Sequence, residues 1–324
     1  MRRDQTESTK TVLVALTANV VIAGAKAVAG LVTGSQGLLA EAAHSAADSA
    51  NQVSLLVSLS LGRRPPDEEH PFGYGKERFF WAFIAALLIF AVGASFSVFE
   101  GVRKLLEPGA RHMGSLRIAY GVLGVALLAE GTSLVRAVRQ WQREEGGSRR
   151  RSAIAAFRRS TEPAVKTVLV EDGAAVLGVL LAGGGLALFQ LTGDTYWDAW
   201  ASIAIGCLLA VAAFSLGRDM RGLLLGAAAP PDVRDRMRAT IGAHPAVDRV
   251  IEVLTMYLGP RSLLVAVRLD LADTVTGDEV EQASDAIERA LRQAEPEVTE
   301  VFLDATPAGR AGRGTTARTR MRRT

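Results

Sequence analysis

Six apolar runs, each long enough to cross a ~30 Å hydrocarbon layer as a helix, constrain this chain more than any other feature of its sequence. They fall at about Val12–Val32, Gly37–Leu61, Phe80–Val102, Ser115–Val138, Ala164–Phe189 and Trp197–Leu216. Hydrophobic residues make up 49% of the 324, with a mean hydropathy of +0.20, yet 22% are charged. Those charges cluster, so a membrane part and a soluble part are expected in one chain. The basic start (Arg2, Arg3, Lys10) runs into a full-length span, which predicts no cleavable signal peptide.

Orientation follows from lysines and arginines in the connections. The start, the loop holding Arg63, Arg64, Lys76 and Arg78, and the loop holding Arg143, Arg149, Arg150, Arg151, Arg158 and Arg159 all lie on one side of a six-span topology. The opposite loops, near Gly34, Pro108 and Asp194, carry little beyond Arg111. Both termini are therefore expected to be cytoplasmic. The net charge of +3 reflects this asymmetry and a basic tail, and argues for anionic lipid rather than nucleic acid as its partner. Cys207, the only cysteine, rules out an intrachain disulfide and a cysteine-cluster metal site.

Within the second run, the stretch Glu41 to Gln52 (EAAHSAADSANQ) places ionisable groups inside a membrane helix. At ~100° per residue, Glu41, His44, Asp48, Asn51 and Gln52 share one face of roughly 120°. Each ionisable group at such depth costs ~2.5 kcal/mol or more, so such groups face a bundle interior or an ion path. His44 and Asp48 are the candidates to hold a cation in transit. Elsewhere, Asn19, Lys26 and Thr33 line one face of the first span, and Lys26 reads as a snorkelling or ion-paired lysine. Glu100, close to Arg103 and Lys104, reads as an outward-facing structural pair. Glu130 either relays protons or pairs with Lys26. In the fifth span, Glu171 and Asp172 point ~100° apart, which makes one a ligand and the other its partner. Trp197 and Trp200 suit an interfacial belt.

Past Arg221 the pattern becomes that of a soluble domain. It reads as a helix at Pro231–Ala243, strands near Val247–Leu258 and Ser262–Leu271, a helix at Gly277–Ala294 and a strand at Val298–Leu303. The expected fold class is thus a six-helix α-helical membrane protein followed by a small cytoplasmic α+β domain of αββαβ, ferredoxin-like order. The segments are 1–11 (cytoplasmic), 12–221 (membrane), 222–306 (dimerising α+β domain) and 307–324 (disordered basic tail).

With HSAAD in the second span, an acidic pair in the fifth and the loop DEEHPFGYGKER after the second, the chain resembles the cation diffusion facilitator family of metal/proton antiporters. The Glu-Asp pair is similar to the branch that includes zinc transporter 9. The resemblance implies a tetrahedral site with two ligands one turn apart on the second helix and two on the fifth. His44 and Asp48 match the first two, and Asp172 matches the last. Val168 stands where the family has another His or Asp, so Glu171, Glu41, Asn51 or a water completes the shell. The resemblance also marks Asp67 and His70 as a peripheral metal site, with Tyr74 where a further His would be needed. His244 reads as a surface residue, and strand histidines of the kind that bind metal in other members are absent here.

The implied activity is export of a divalent transition metal, foremost Zn²⁺, with Mn²⁺, Fe²⁺ or Co²⁺ as alternatives. Mixed imidazole and carboxylate donors suit Zn²⁺, and protons compete for the same donors. No enzymatic activity and no prosthetic group are expected; the metal is cargo. Protons, the bilayer and a second copy of the chain are the expected partners, in a bacterial cytoplasmic membrane. A membrane metallohydrolase and a metal-sensing scaffold are the rival readings, against which stand the missing His-Glu-x-x-His motif and the missing strand histidines.

Overall fold

The computed structural model describes residues 2–106, 115–144 and 163–306. The basic tail 307–324 and the arginines at 149–159 lie outside the described residues. By its internal contacts the chain divides into two units, Met1–Arg64 with Glu77–Arg221, and Pro65–Lys76 with Gly222–Thr324. The loop Pro65–Lys76 thus groups with the C-terminal domain and not with the 12–221 membrane stretch to which sequence reading assigned it.

Among its described residues, the first unit is built of helices. Helices α1 (Arg2–Thr33), α2 (Gln36–Leu61), α3 (Glu77–Leu106), α4 (Leu116–Glu144), α5 (Pro163–Thr192) and α6 (Tyr196–Leu224) follow in order. Among the described residues, four stretches are long and apolar enough to cross a membrane: Glu77–Leu106, Leu116–Arg139, Val168–Thr192 and Tyr196–Leu224. Helix α2 falls outside that group, although it has 26 residues, because a full polar face dilutes its apolar character. In α1 the apolar described part is the shorter Asn19–Thr33.

Gly34 takes φ +73, a left-handed turn closed to most side chains, and so lets α1 fold back along α2. Helix α2 then packs against α1, α3 and α5, while α4 packs on α1 and α5. The shared core uses small residues (Ala29, Ala40, Ala47, Ala174, Ala182) between Leu38, Ile89, Leu123, Leu186 and Leu209, as expected where helices pack without a hydrophobic drive from water. A Cβ on Gly185 would lie 2.6 Å from the Ala201 side chain, so glycine sets the α5–α6 approach. Helix α3 contains a π-helical turn at Ile89–Ala94.

In the second unit, α7 (Pro231–Gly242), β1 (Val247–Gly259), β2 (Ser262–Leu271), α8 (Gly277–Ala294) and β3 (Val298–Ala305) give the αββαβ order. The sheet order is β1-β2-β3; β1 and β2 pair antiparallel, and β2 and β3 pair parallel across the α8 connection. Strand period two buries Leu263, Val265, Val267 and Leu269, and helical spacing buries Met237 and Ile241 on α7 and Ala283, Ile287 and Leu291 on α8. A capping box of Thr276 and Glu279 starts α8.

The loop Pro65–Lys76 rests on this domain. Phe72 meets Phe302 of β3 edge to face at 6.3 Å, and Lys76 Nζ lies 3.9 Å from Met256 Sδ. Gly75 is pressed so closely to β1 that an added Cβ would lie 2.5 Å from the Leu258 carbonyl oxygen.

Candidate metal site

The polar face of α2 turns inward. Glu41, His44, Asp48 and Asn51 are all buried, whereas Ala46 on the other side is exposed. His44 Nε2 and Asp48 Oδ2, one helical turn apart, are separated by 3.5 Å. The π-helical turn of α3 packs against the α2 backbone at this level, since a Cβ on Gly93 would lie 3.9 Å from both the His44 Cα and the Ala47 Cβ; such turns recur at functional sites.

From α5, Glu171 reaches α2 directly: Asn51 Nδ2 donates to Glu171 Oε2 at 2.6 Å. Asp172, next along the helix, is hydrogen-bonded to Ser133 of α4 and lies within electrostatic range of Glu130, Asp48 and Arg136. Val168 offers an apolar side chain where a fourth donor would stand. Each of the four expected ligands retains a buried polar atom without a hydrogen-bond partner: Nδ1 and Nε2 of His44, Oδ1 of Asp48, Oε1 of Glu171 and Oδ2 of Asp172. Oε1 of Gln36, of Glu41 and of Gln52 on α2 is unmatched as well, so the whole polar face of α2 carries more polar atoms than its neighbours satisfy. Among the described residues, no three His, Cys, Asp or Glu side chains converge closely enough to hold a metal ion. The structure therefore pairs His44 with Asp48 and Asn51 with Glu171, but does not bring these pairs and Asp172 into one cluster.

Lys26 is fully buried and ion-paired. Its Nζ donates to Glu41 Oε2 at 3.0 Å and to Ser45 Oγ at 2.8 Å, and lies 3.5 Å from Glu130 Oε1. Glu130 thus joins the Lys26 cluster. Gly178 of α5 closes the cluster's side, because a Cβ there would collide with Glu41 Oε1. Gly178→Val is accordingly expected to push Glu41 off Lys26 and to lower the thermal unfolding midpoint in detergent by several degrees. A midpoint equal to that of the unsubstituted chain would contradict this contact.

Two acidic residues behave otherwise than their sequence setting suggests. Glu100 is buried rather than outward-facing; it does pair with Arg103, three residues on, but from inside the bundle. Asp198, which sequence reasoning missed, is also fully buried. Its carboxylate accepts from the Ser35 hydroxyl at 2.7 Å and from the backbone N–H groups of Gln36 and Gly37, anchoring the N-terminus of α2 to α6. A carboxylate at a helix N-terminus meets unpaired N–H groups and the positive end of the dipole.

In the loop, Asp67 and His70 do lie together, their Oδ1 and Nδ1 3.7 Å apart. Both Asp67 oxygens are engaged: the His70 N–H donates to Oδ1 and the Tyr74 hydroxyl to Oδ2, each at 2.7 Å. The Tyr74 hydroxyl, then the His70 amide, hold the Asp67 carboxyl below its ordinary range. A carboxylate with a depressed folded pKa adds stability above its unfolded pKa of ~3.9 and loses it as pH falls through the folded value. Tyr74→Phe keeps the ring beside His70 and removes the donor, so Asp67 is expected to titrate at higher pH. Carboxyl carbon shifts in a pH series report this directly, and an unmoved midpoint would overturn it. His244 is half-buried, and its Nδ1 accepts from the Ala246 N–H at 3.3 Å.

Residues 12–225 match the family model for the cation efflux transmembrane domain. A proton-coupled zinc antiporter, SLC30A9, from Xenopus laevis is 34% identical over 77% of this chain and 44% of that protein. Metal tolerance protein C4 of Arabidopsis thaliana is 32% identical over 72% of this chain and 50% of that protein. The matched part of this chain spans half or less of those two relatives. The manganese efflux system protein MneP of Bacillus subtilis is 26% identical over 93% of this chain and 96% of that protein.

Proposed function

The chain belongs to the cation efflux, or cation diffusion facilitator, family of membrane transporters, on the side of the zinc transporter 9-like branch, and we propose that it exports Zn²⁺ in exchange for protons. The carrying observation is the set of unmatched buried donor atoms on His44, Asp48, Glu171 and Asp172. An ion entering between α2 and α5 draws these side chains together: His44 and Asp48 supply one edge of the shell, Asp172 the other. Glu171 supplies the donor that Val168 cannot, with Asn51 holding its second oxygen.

These donors bind metal only when deprotonated, and an imidazole titrates ordinarily at ~6.5, so protons and metal compete for them. Alternation of the bundle between two faces turns that competition into exchange, and an inward proton gradient then drives metal outward. Asp67 organises its loop, in this reading, and is not a transport ligand.

Six spans and a common cytoplasmic side for both termini fit the two-unit division. The loop Pro65–Lys76 and the C-terminal domain form one unit, so they share a side. Between them run α3 to α6, whose four stretches of spanning length return the chain to that side. Helices α1 and α2 are read as the remaining pair, and the basic loop residues Arg63, Arg64 and Arg78 argue for that side being cytoplasmic. The 222–306 domain is small for independent stability and is read as the dimer contact. The membrane is read as a bacterial cytoplasmic one.

The test is a metal panel in proteoliposomes with an imposed pH gradient. Zn²⁺ flux that collapses with the gradient is expected; flux of Mn²⁺ alone would favour the chemistry named for MneP, and no flux of any divalent metal would sink the reading.

A further inference from the structure

The Lys26 cluster is not used by the transport reading, and its chemistry is that of a filled binding site. Three helices build it: α1 gives Lys26, α2 gives Glu41 and Ser45, and α4 gives Glu130. A primary ammonium has three N–H donors and no acceptor, and here it meets three oxygens, at 2.8, 3.0 and 3.5 Å. Lys26 and Glu41 are both fully buried, so the pairing takes place away from water. The second Glu41 oxygen, Oε1, is buried and unpartnered, and two carboxylates face one ammonium. Among the described residues, His44, Asp48 and Asp172 are charged or titratable neighbours within electrostatic range of the group.

We propose that Glu41, Ser45 and Glu130 form a second cation pocket, selective for a primary ammonium, which Lys26 fills from within the chain. The tethered charge beside the His44–Asp48 site then keeps metal affinity low enough for release. A unit positive charge about 10 Å from a divalent ion, at an effective dielectric of ~20, weakens binding by roughly 100-fold. The inference goes beyond the transport reading, and one arm of its test is independent of it.

The test uses the full chain in detergent. Lys26→Ala opens the pocket; ethylammonium chloride is the probe, and tetramethylammonium chloride, equal in charge but without N–H donors, is the control. Ethylammonium is expected to raise the thermal midpoint of Lys26→Ala with concentration, to leave the unsubstituted chain unmoved, and to do nothing for Lys26→Met, whose side chain fills the space. Zinc is expected to bind Lys26→Ala roughly 100-fold more tightly, with ethylammonium reversing the gain. Recovery of folded Lys26→Ala only when ethylammonium is present supports the pocket equally. Absence of a midpoint shift, an equal shift with tetramethylammonium, or zinc affinity no tighter than that of the unsubstituted chain overturns it. If the unsubstituted chain binds no zinc, the transport reading alone fails, and the midpoints decide the pocket.

Discussion

Asp48→Ala is expected to reduce zinc flux in proteoliposomes to background, a loss on the order of 100-fold or more, without lowering the thermal midpoint. Altering even the residues behind a metal ligand costs about 10- to 100-fold in affinity or activity, and removal of a ligand costs more. The effect on stability has the opposite sign. Asp48 keeps Oδ1 buried and unmatched, and its Oδ2 stands 3.5 Å from His44 without a hydrogen bond to repay burial. Exchanging such a group for alanine removes a cost of ~2.5 kcal/mol or more on membrane-insertion scales. Loss of transport with an unchanged or raised midpoint is the signature of a site that sacrifices stability for function. A lowered midpoint with retained flux would make His44 and Asp48 a structural pair. Asp67→Ala, in the exposed loop, is the control and is expected to transport normally.

Asp198→Ala should do the reverse and act through stability. The substitution strips the acceptor from the Ser35 hydroxyl and from the Gln36 and Gly37 N–H groups, all buried where α2 begins. A buried donor left unmatched costs about 1–3 kcal/mol, and a charged acceptor makes the bond stronger than average. A net destabilisation of about 3 kcal/mol is expected from the three unmatched donors, although Ser35 Oγ still accepts from the Leu38 N–H. Asp198→Asn keeps one carbonyl acceptor and should recover part of the loss. A thermal midpoint unchanged in Asp198→Ala would remove the α2–α6 anchor from the account.

These two carboxylates also show what the sequence makes legible. Asp48 stands on a periodic polar face, and helical spacing alone puts it beside His44 and turns both inward. The partners of Lys26 follow no such rule: spacing sets the face it shares with Asn19 and Thr33, but the meeting with Glu41 and Glu130 depends on how three helices pack. Asp198 sits in the first turn of an apolar helix, where it reads as a partner for its own helix dipole, and its true target is 161 to 163 residues away. Glu100 carried the same ambiguity, since an i,i+3 pair with Arg103 forms equally on an outer or an inner face. The C-terminal strands were legible because period two and burial coincide in β2, with Leu263, Val265, Val267 and Leu269 on one side. The seating of the Pro65–Lys76 loop on that domain, through Phe72, Gly75 and Lys76, has no local signature beyond the glycines around Tyr74. The π-helical turn at Ile89–Ala94 has none beyond Gly93.

Metal is expected to bind between α2 and α5, at His44 and Asp48. Anomalous scattering at the zinc edge from crystals of the zinc-loaded full chain tests it most directly. A peak is expected within bonding distance of a His44 nitrogen and an Asp48 oxygen, joined by Asp172, and absent in Asp48→Ala. A peak confined to Asp67 and His70, or one that persists unchanged in Asp48→Ala, would contradict it.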